Sequence, residues 1–260
     1  MPIHREPSEQ RPNQTITQVD ADDRVGVSAY YKFEVDQGFS SFPPETTFDE
    51  MVTYRQDQIR SGKLKVAMIE RGGQVLATSV VVLEPGTMGK KIANNEAYAA
   101  GTLVHPDWRS QGIGELMSAE QDRIARDADR EAIKTVVVDN NYASMRLRMK
   151  VGYRLEGVDD TKEQPEFVFK KNLKNEPSVK RNLRDEMLAG HLSEVNAVDA
   201  SSPDTLLIDP RNTDSVEQAL AAGYKGVYLL SPADFPEAES LGGNKIVFAR
   251  AETLSDSVGS

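Results

Sequence analysis

The spacing of apolar and polar residues predicts alternating strands and helices over most of the first 171 residues. Alternation along a segment indicates a half-buried strand, whereas apolar residues three or four apart indicate one face of a helix. The predicted elements, in chain order, are strand 14–19, helix 21–35, a helix that follows Thr47, strands 64–70, 74–83 and 97–104, helix 114–128, strand 135–138, helix 143–151, and strands 153–158 and 166–170. This order predicts an α/β (α+β) fold built on a mixed sheet.

Local signals set several of these boundaries. Thr47 is followed three residues later by Glu50, which predicts a capping box at the start of the second helix. The pair Gly72-Gly73 between two strand-like segments predicts a β-hairpin, and Gly152 predicts the end of helix 143–151.

Composition excludes several classes of function. Hydrophobic residues make up 38% of the chain and charged residues 28%, as in soluble globular proteins. There is no cysteine, so disulfides and thiolate sites are excluded. The three histidines, His4, His105 and His191, have no metal-ligand spacing, and we expect no metal. The apolar runs are too short to span a bilayer, and residues 1–13 have no secretory h-region, so we expect no membrane partner and a cytoplasmic location.

The net charge of −10 bears on partners. A strongly acidic chain repels the phosphates of nucleic acid, so we expect no nucleic-acid partner. The same negative field does not repel a cationic amine. Acidity also promotes solubility, which is the alternative explanation for the charge.

The segment that points to chemistry joins strand 97–104 to helix 114–128. It reads Arg109-Ser110-Gln111-Gly112-Ile113-Gly114. Glycine lets a backbone approach a ligand closely, and the first turn of a helix presents unpaired N–H groups and the positive end of its dipole. Together with the charge of Arg109, these features predict a cradle for a diphosphate. The segment is neither a Walker loop nor the dinucleotide fingerprint, because it lacks the Lys-Ser/Thr pair and a third glycine.

Two motifs resemble signatures of the GNAT N-acetyltransferase superfamily. The first resembles motif A of that family and consists of Val104-His105-Pro106, Trp108-Arg109, Gly112 and Gly114. The second consists of Asn141, Ser144, Leu147 and Gly152-Tyr153. The resemblance covers residues 14–171 and implies a mostly antiparallel sheet flanked by helices, with acetyl-CoA as co-substrate.

The resemblance also implies roles for individual residues. The residues matching the family's diphosphate loop are Arg109, Ser110, Gln111, Gly112, Ile113 and Gly114. Main-chain groups of Leu103 and Val104 correspond to those that bind the pantetheine arm and polarise the thioester carbonyl. Asn141 resembles the asparagine that contacts pantetheine, and it also fits an N-cap. His105 and Trp108 are expected to support the loop rather than to react.

The resemblance leaves the proton-transfer groups open. Arg148 stands where many family members have a tyrosine that protonates the leaving thiolate, so Arg148 stabilises the thiolate or is a solvated helix residue. Tyr98 and Tyr142 are alternative acids. Glu96 is our candidate base, because the family often keeps a glutamate near the start of this strand; an exposed loop carboxylate is the alternative.

Beyond residue 172 the chain leaves the family pattern. Residues 178–195 predict an amphipathic helix. Residues 201–252 then repeat the spacing of the second motif: Asn212, Ser215 and Gly223-Tyr224 follow Asn141, Ser144 and Gly152-Tyr153 by a constant offset. We interpret this segment as a partial repeat of the C-terminal half of the fold that docks on the first sheet or on another copy. The predicted organisation is a leader at 1–13, an acetyltransferase domain at 14–173, a helical connector at 174–200, the half repeat at 201–252 and a tail at 253–260.

Two functional hypotheses follow. The first is an N-acetyltransferase that moves acetyl from acetyl-CoA to a primary amine by direct attack in a ternary complex, with a small-molecule or peptide acceptor and with a homodimer allowed. The second is a protein of the same fold that binds acyl-CoA, or a partner protein, without turnover; Arg148 in place of tyrosine favours it.

Overall fold

The computed structural model describes residues 15–39, 45–159, 161, 164–174, 193–194, 205–232 and 242–250. The helices are α1 (Arg24–Asp36), α2 (Phe48–Arg60), α3 (Ile113–Asp127), α4 (Tyr142–Lys150) and α5 (Thr213–Ala221). The strands are β1 (Ile16–Gln18), β2 (Leu64–Arg71), β3 (Gln74–Val82), β4 (Glu96–Val104), β5 (Ala132–Val138), β6 (Arg154–Asp159), β7 (Glu166–Asn172), β8 (Ser193–Glu194), β9 (Thr205–Ile208), β10 (Tyr224–Leu230) and β11 (Lys245–Arg250). The prediction of a mixed, mostly antiparallel sheet flanked by helices is confirmed.

The chain folds into two compact units. The first is drawn from residues up to 90 and from residues 99–124, and the second from residues 91–98 and from residue 125 onward. In the first unit the strand order is β1-β2-β3-β4, with β1, β2 and β3 antiparallel. Helices α1 and α2 bury apolar side chains against this sheet, including those of Val27, Tyr30, Val52 and Ile59.

In the second unit the strand order is β4-β5-β7-β6-β10-β11-β9-β8. The first residues of β4 run parallel to β5, and β8 runs parallel to β9; the other pairings are antiparallel. Each unit therefore has its own buried layer, and the loop that follows β4 lies in the first unit.

Local signals act as the sequence predicts. Thr47 accepts a hydrogen bond from the backbone N–H of Glu50, while the Glu50 carboxylate accepts from the N–H of Thr47. Gly72 and Gly73 form the β2–β3 turn with positive φ of 59° and 80°. This reciprocal cap and this turn set the start of α2 and the register of the hairpin.

The C-terminal prediction needs one correction. Residues 193–194, placed within a helix by the sequence, form strand β8, because their backbones pair with β9. The rest of the predicted connector helix, the leader and the tail lie outside the described residues. Within the described residues, no helix has both the length and the apolar character needed to cross a membrane.

Candidate functional site

The loop before α3 has the backbone shape of an anion cradle. Ser110 and Gly112 both take positive φ, 62° and 81°, a backbone conformation that occurs in anion-binding nests. Ser110 is strained in this conformation, because a residue with a Cβ rarely adopts it. The first N–H groups of α3, from Ile113, have no acceptor within the helix, and the 15-residue helix adds its dipole. These donors and this charge suit a diphosphate.

The side chains of Arg109 and Gln111 donate hydrogen bonds to nearby backbone carbonyls. The Arg109 Nε donates to the Val104 carbonyl at 3.1 Å, and the Gln111 side chain donates to the Asp107 carbonyl at 3.2 Å. Arg109 is exposed, and its guanidinium carries further N–H donors beyond Nε. The cation is therefore held beside the cradle while it keeps donors for a phosphate.

His105 and Trp108 support the loop, as expected. The His105 N–H donates to the Leu76 carbonyl at 2.8 Å, and its Nδ1 accepts from the Asp107 N–H at 3.4 Å. The Trp108 ring lies 5.6 Å from the Arg71 guanidinium. Both residues attach the loop to the β2–β3 hairpin. The role of His105 is to cap the backbone N–H of Asp107.

Gln121 of α3 was not predicted from the sequence. Its side chain is fully buried, and its amide donates to the carbonyls of Gly101 at 2.9 Å and Val80 at 3.4 Å. Its Oε1 accepts from the Thr102 hydroxyl at 3.2 Å. Because C=O and N–H point in opposite directions across a trans peptide, fixing the Gly101 carbonyl also fixes the N–H of Thr102. Gln121 thus sets the main chain of β4 just before Leu103 and Val104.

A second contact on β4 comes from Phe39, which follows α1. A Cβ added at Gly101 would lie 2.8 Å from the ring of Phe39, a distance that real Cβ contacts do not show. Phe39 is nevertheless 46% exposed. One side of the Phe39 ring therefore covers Gly101, and a larger residue at this position would require the exposed ring to shift.

Glu96, the predicted base, is held in a double ion pair. Its carboxylate lies 2.7 Å from the Lys170 Nζ and 2.9 Å from the Lys134 Nζ, and it accepts from the Ala93 N–H at 3.1 Å. Burial would raise its pKa, but these hydrogen bonds outweigh burial and lower the pKa to about 2. A carboxylate this acidic is a poor proton acceptor near neutral pH. The geometry corrects the interpretation of Glu96 as an exposed loop carboxylate, because Glu96 is buried in an ion pair. The ion pair argues against the role of general base, which stays a prediction that the variant below tests.

We expect Glu96→Gln to lower stability and to leave acetyl transfer intact at pH 7. The lowered pKa contributes stability that is fully present above the ordinary value of 4.5 and is lost as pH falls through about 2. The shift corresponds to roughly 3 kcal/mol. Denaturant unfolding from pH 7 to pH 2 should show the gap between wild type and variant closing below pH 4.5. Glu84→Gln, at an exposed pair with Lys63, is the control and should change little. Abolished turnover in a folded Glu96→Gln protein would restore Glu96 as base.

Tyr98 and Arg148 are also buried. Burial, followed by the charge of Glu166, raises the pKa of Tyr98 to about 12 despite the opposing effects of a backbone hydrogen bond at Val136 and of Arg148. A phenol with this pKa gives up its proton unfavourably to a thiolate of ordinary basicity. Arg148 is 3% exposed, and its guanidinium lies 5.3 Å from the Tyr153 ring centre. Arg148 is therefore not a solvated helix residue.

Asn141 caps α4. Its Oδ1 accepts a hydrogen bond from the Ser144 N–H at 3.1 Å, and its side chain is exposed. Asn141, Glu96, Tyr98 and Arg148 all lie in the second unit, whereas residues 103–114 lie in the first.

The first unit also buries a polar cluster that the sequence did not reveal. Glu34 of α1 is 1% exposed and Arg55 of α2 is 5% exposed, with Nη2 and Oε2 3.6 Å apart. The Arg55 guanidinium lies 5.4 Å from the Tyr31 ring centre, and its Nη1 is 2.9 Å from the Met88 sulfur. Burial raises the pKa values of Tyr30 and Tyr31. The signal available in the sequence was the spacing of Tyr30 and Glu34, four apart on the face of α1 that also carries Val27.

Comparison with known family models matches one region of the chain. Residues 30–153 match the model of the Acetyltransferase (GNAT) family, and the match includes the whole 109–114 loop. The chain carries a GNAT acetyltransferase domain.

Solved structures resemble the acetyltransferase domain at low identity. An N-acetyltransferase from Staphylococcus aureus Mu50 shares 16% identity over 62% of this chain and 99% of its own, with a TM-score of 0.49. The yncA protein of Salmonella typhimurium, whose structure holds its cofactor acetyl-CoA, shares 15% identity over 64% of this chain and 97% of its own, also at 0.49. A spermidine N-acetyltransferase SpeG mutant from Vibrio cholerae shares 13% identity over 61% and 95%, at 0.47. Likeness at this level carries no information on the acceptor. Comparison with curated sequences gives no match.

Proposed function

We propose that the acetyltransferase domain transfers acetyl from acetyl-CoA to a primary amine by direct attack, with both substrates bound together. The observation that supports this most is the loop before α3, where Ser110 and Gly112 at positive φ lead into a helix start beside Arg109. In this proposal the N–H groups of residues 111–114, with Arg109 and the Ser110 hydroxyl, hold the CoA diphosphate. Main-chain groups of Leu103 and Val104 hold the pantetheine arm and polarise the thioester carbonyl.

The proposed reaction is aminolysis of the acetyl-CoA thioester. The amine nitrogen forms a bond to the carbonyl carbon, the C–S bond breaks, and CoA leaves as a thiolate. The amine must lose its ammonium proton before it attacks and another proton afterwards. Because Glu96 is ion-paired and the pKa of Tyr98 is about 12, we propose that water takes these protons and that the thiolate leaves without a protein acid. Tyr142 is half-buried and stays an alternative acid.

The acceptor class is an amine: a small polyamine or amino acid, an aminoglycoside-like compound, or a protein N-terminus or lysine. A thiol-release assay with acetyl-CoA and a panel of these amines tests the proposal. Amine-dependent release that disappears in a Gly112→Val variant is the expected result. Acetyl-CoA binding without release by any amine of the panel would favour the second candidate, a CoA-binding protein without turnover; the paired Glu96 and the buried Arg148 are the observations that support that candidate.

We further propose that Gln121 positions β4 for catalysis. Gln121→Leu removes the donor to the Gly101 carbonyl and frees the Thr102 peptide to rotate, so we expect kcat to fall about 10-fold, equivalent to about 1.4 kcal/mol. The affinity for acetyl-CoA should change less than about 3-fold, since the cradle is intact. Steady-state kinetics and calorimetry separate the two effects.

Thr102→Val is the matched control for Gln121→Leu. It removes only the hydroxyl that donates to the Gln121 Oε1 and leaves both bonds from the Gln121 amide. We expect kcat close to that of the wild type. Equal loss of kcat in both variants, or equal loss of acetyl-CoA affinity and kcat in Gln121→Leu, would contradict a positioning role.

A further inference from the structure

The C-terminal segment reproduces the strand pairing of the acetyltransferase segment before it. Strand β5 pairs with β7 so that Val136 faces Val168, and β9 pairs with β11 so that Leu207 faces Val247. Val136 and Leu207 are 71 positions apart in the chain, the offset that also separates Asn141 from Asn212. Both hairpins carry an irregularity at the same point, after Leu155 in β6 and after Gly226 in β10, which again are 71 positions apart.

The helices and their ends repeat as well. Asn212 accepts a hydrogen bond from the Ser215 N–H at 3.1 Å, as Asn141 does from Ser144 at the same distance. After the helices, Gly152 and Gly223 take positive φ of 99° and 84°. The next residue is a buried tyrosine in both segments, and each of these tyrosines faces a cation from the last strand. The cation–ring pairs are Lys171 with Tyr153 at 5.9 Å and Arg250 with Tyr224 at 4.6 Å.

The two segments meet as a symmetric pair. Leu155 of β6 pairs with Gly226 of β10, so residues at equivalent positions face each other across an antiparallel pairing. Helix α4 packs on β10, and α5 packs on β6. Equivalent residues facing each other and reciprocal helix packing are the signature of a two-fold axis, as in an isologous dimer.

We propose that residues 193–250 are a second, shortened copy of the 96–172 segment, docked on β6 about a local two-fold axis. Strand β8 then corresponds to β4, since each runs parallel to the strand that follows it. Between β4 and β5 the chain has 27 residues, which hold the cradle and α3, whereas between β8 and β9 it has ten. Ten residues cannot hold a loop and a 15-residue helix. The second copy therefore cannot bind acetyl-CoA, and it serves as a built-in partner.

The contact between Leu155 and Gly226 explains why the copy docked on β6 belongs to the same chain. A Cβ added at Gly226 would lie 2.8 Å from the Leu155 Cβ and 3.2 Å from the Ile246 Cγ2. Two identical copies paired in this way would place leucine against leucine at that point. The pairing therefore needs one leucine and one glycine, which the two copies of a single chain supply. The β6 edge selects the internal copy over a second molecule.

A glycine substitution on the full chain tests this. Gly226→Ala should lower the Tm by several degrees and speed hydrogen exchange in β6. Gly157→Ala is the matched control, because a Cβ there meets the Val168 Cβ at 3.6 Å, an ordinary contact. Equal behaviour of the two variants would overturn the proposal.

Exchanging the two residues tests the axis itself. Gly226→Leu should be strongly destabilised, and Leu155→Gly should lose the packing of a fully buried leucine. If the positions are related by two-fold symmetry, the double variant Leu155→Gly/Gly226→Leu restores one leucine against one glycine and should recover most of the loss. A double variant no more stable than Gly226→Leu, or one that fails to fold, would overturn the symmetric docking. None of these outcomes depends on acetyl transfer, so failure here leaves the proposed function in place.

Discussion

Replacing Gly112 with valine is expected to abolish acetyl-CoA binding while the domain stays folded. Gly112 has φ of 81°, a region that a β-branched residue scarcely adopts, so valine there would force the loop out of its conformation. Losing the diphosphate contacts should cost about 3 kcal/mol, or roughly 100-fold in affinity. Calorimetric titration of wild type and variant with acetyl-CoA measures this directly.

Gly62→Val controls for backbone strain in this experiment. Gly62 has φ of 75° in the turn before β2, and a Cβ there meets nothing within 4 Å. The substitution imposes a similar strain on the unit without touching the cradle, so we expect lower stability and unchanged affinity. Wild-type affinity in Gly112→Val would show that the phosphates bind elsewhere.

The largest expected effect on stability comes from the buried pair between α1 and α2. Arg55→Met keeps an apolar side chain of similar length but leaves the Glu34 carboxylate, 1% exposed, without the guanidinium that faces it. Removing one partner of a buried ion pair costs about 3–5 kcal/mol. Chemical denaturation of the variant should show a loss of this size.

Arg60→Met is the control on the same helix. Arg60 is 55% exposed and pairs with Asp22 and Asp57 at the surface, where ion pairs contribute at most about 1 kcal/mol. A similar small loss of unfolding free energy in both variants would mean that the buried Glu34 carboxylate is not stabilised by Arg55. A loss confined to Arg55→Met would establish the cluster as a stabilising element under β3.

The parts of the structure that follow from the sequence are those set by local chemistry. The capping box at Thr47, the glycine turn of the hairpin and the cap at Asn141 each depend on side chains within a few residues of the backbone they bind. The cradle before α3 belongs to the same class, because its shape comes from Ser110, Gly112 and the start of one helix.

What the sequence could not predict depends on which strands become neighbours. Glu96 looks like an exposed carboxylate until the order β4-β5-β7 places Lys134 and Lys170 beside it. The same holds for Glu34 and Arg55, which meet only because α1 and α2 pack together. Gln121 was detectable in principle: it lies on the buried face of α3 between Met117 and Ile124, and a polar residue at such a position must find partners.

The measurement that tests the account most directly is calorimetric titration of the 260-residue protein with acetyl-CoA. The cradle at 109–114 and the shortened second copy together predict one site per chain with micromolar affinity, equivalent to about −8 kcal/mol. No binding by folded protein would contradict the assignment of the loop, and two sites per chain would contradict the account of the C-terminal copy.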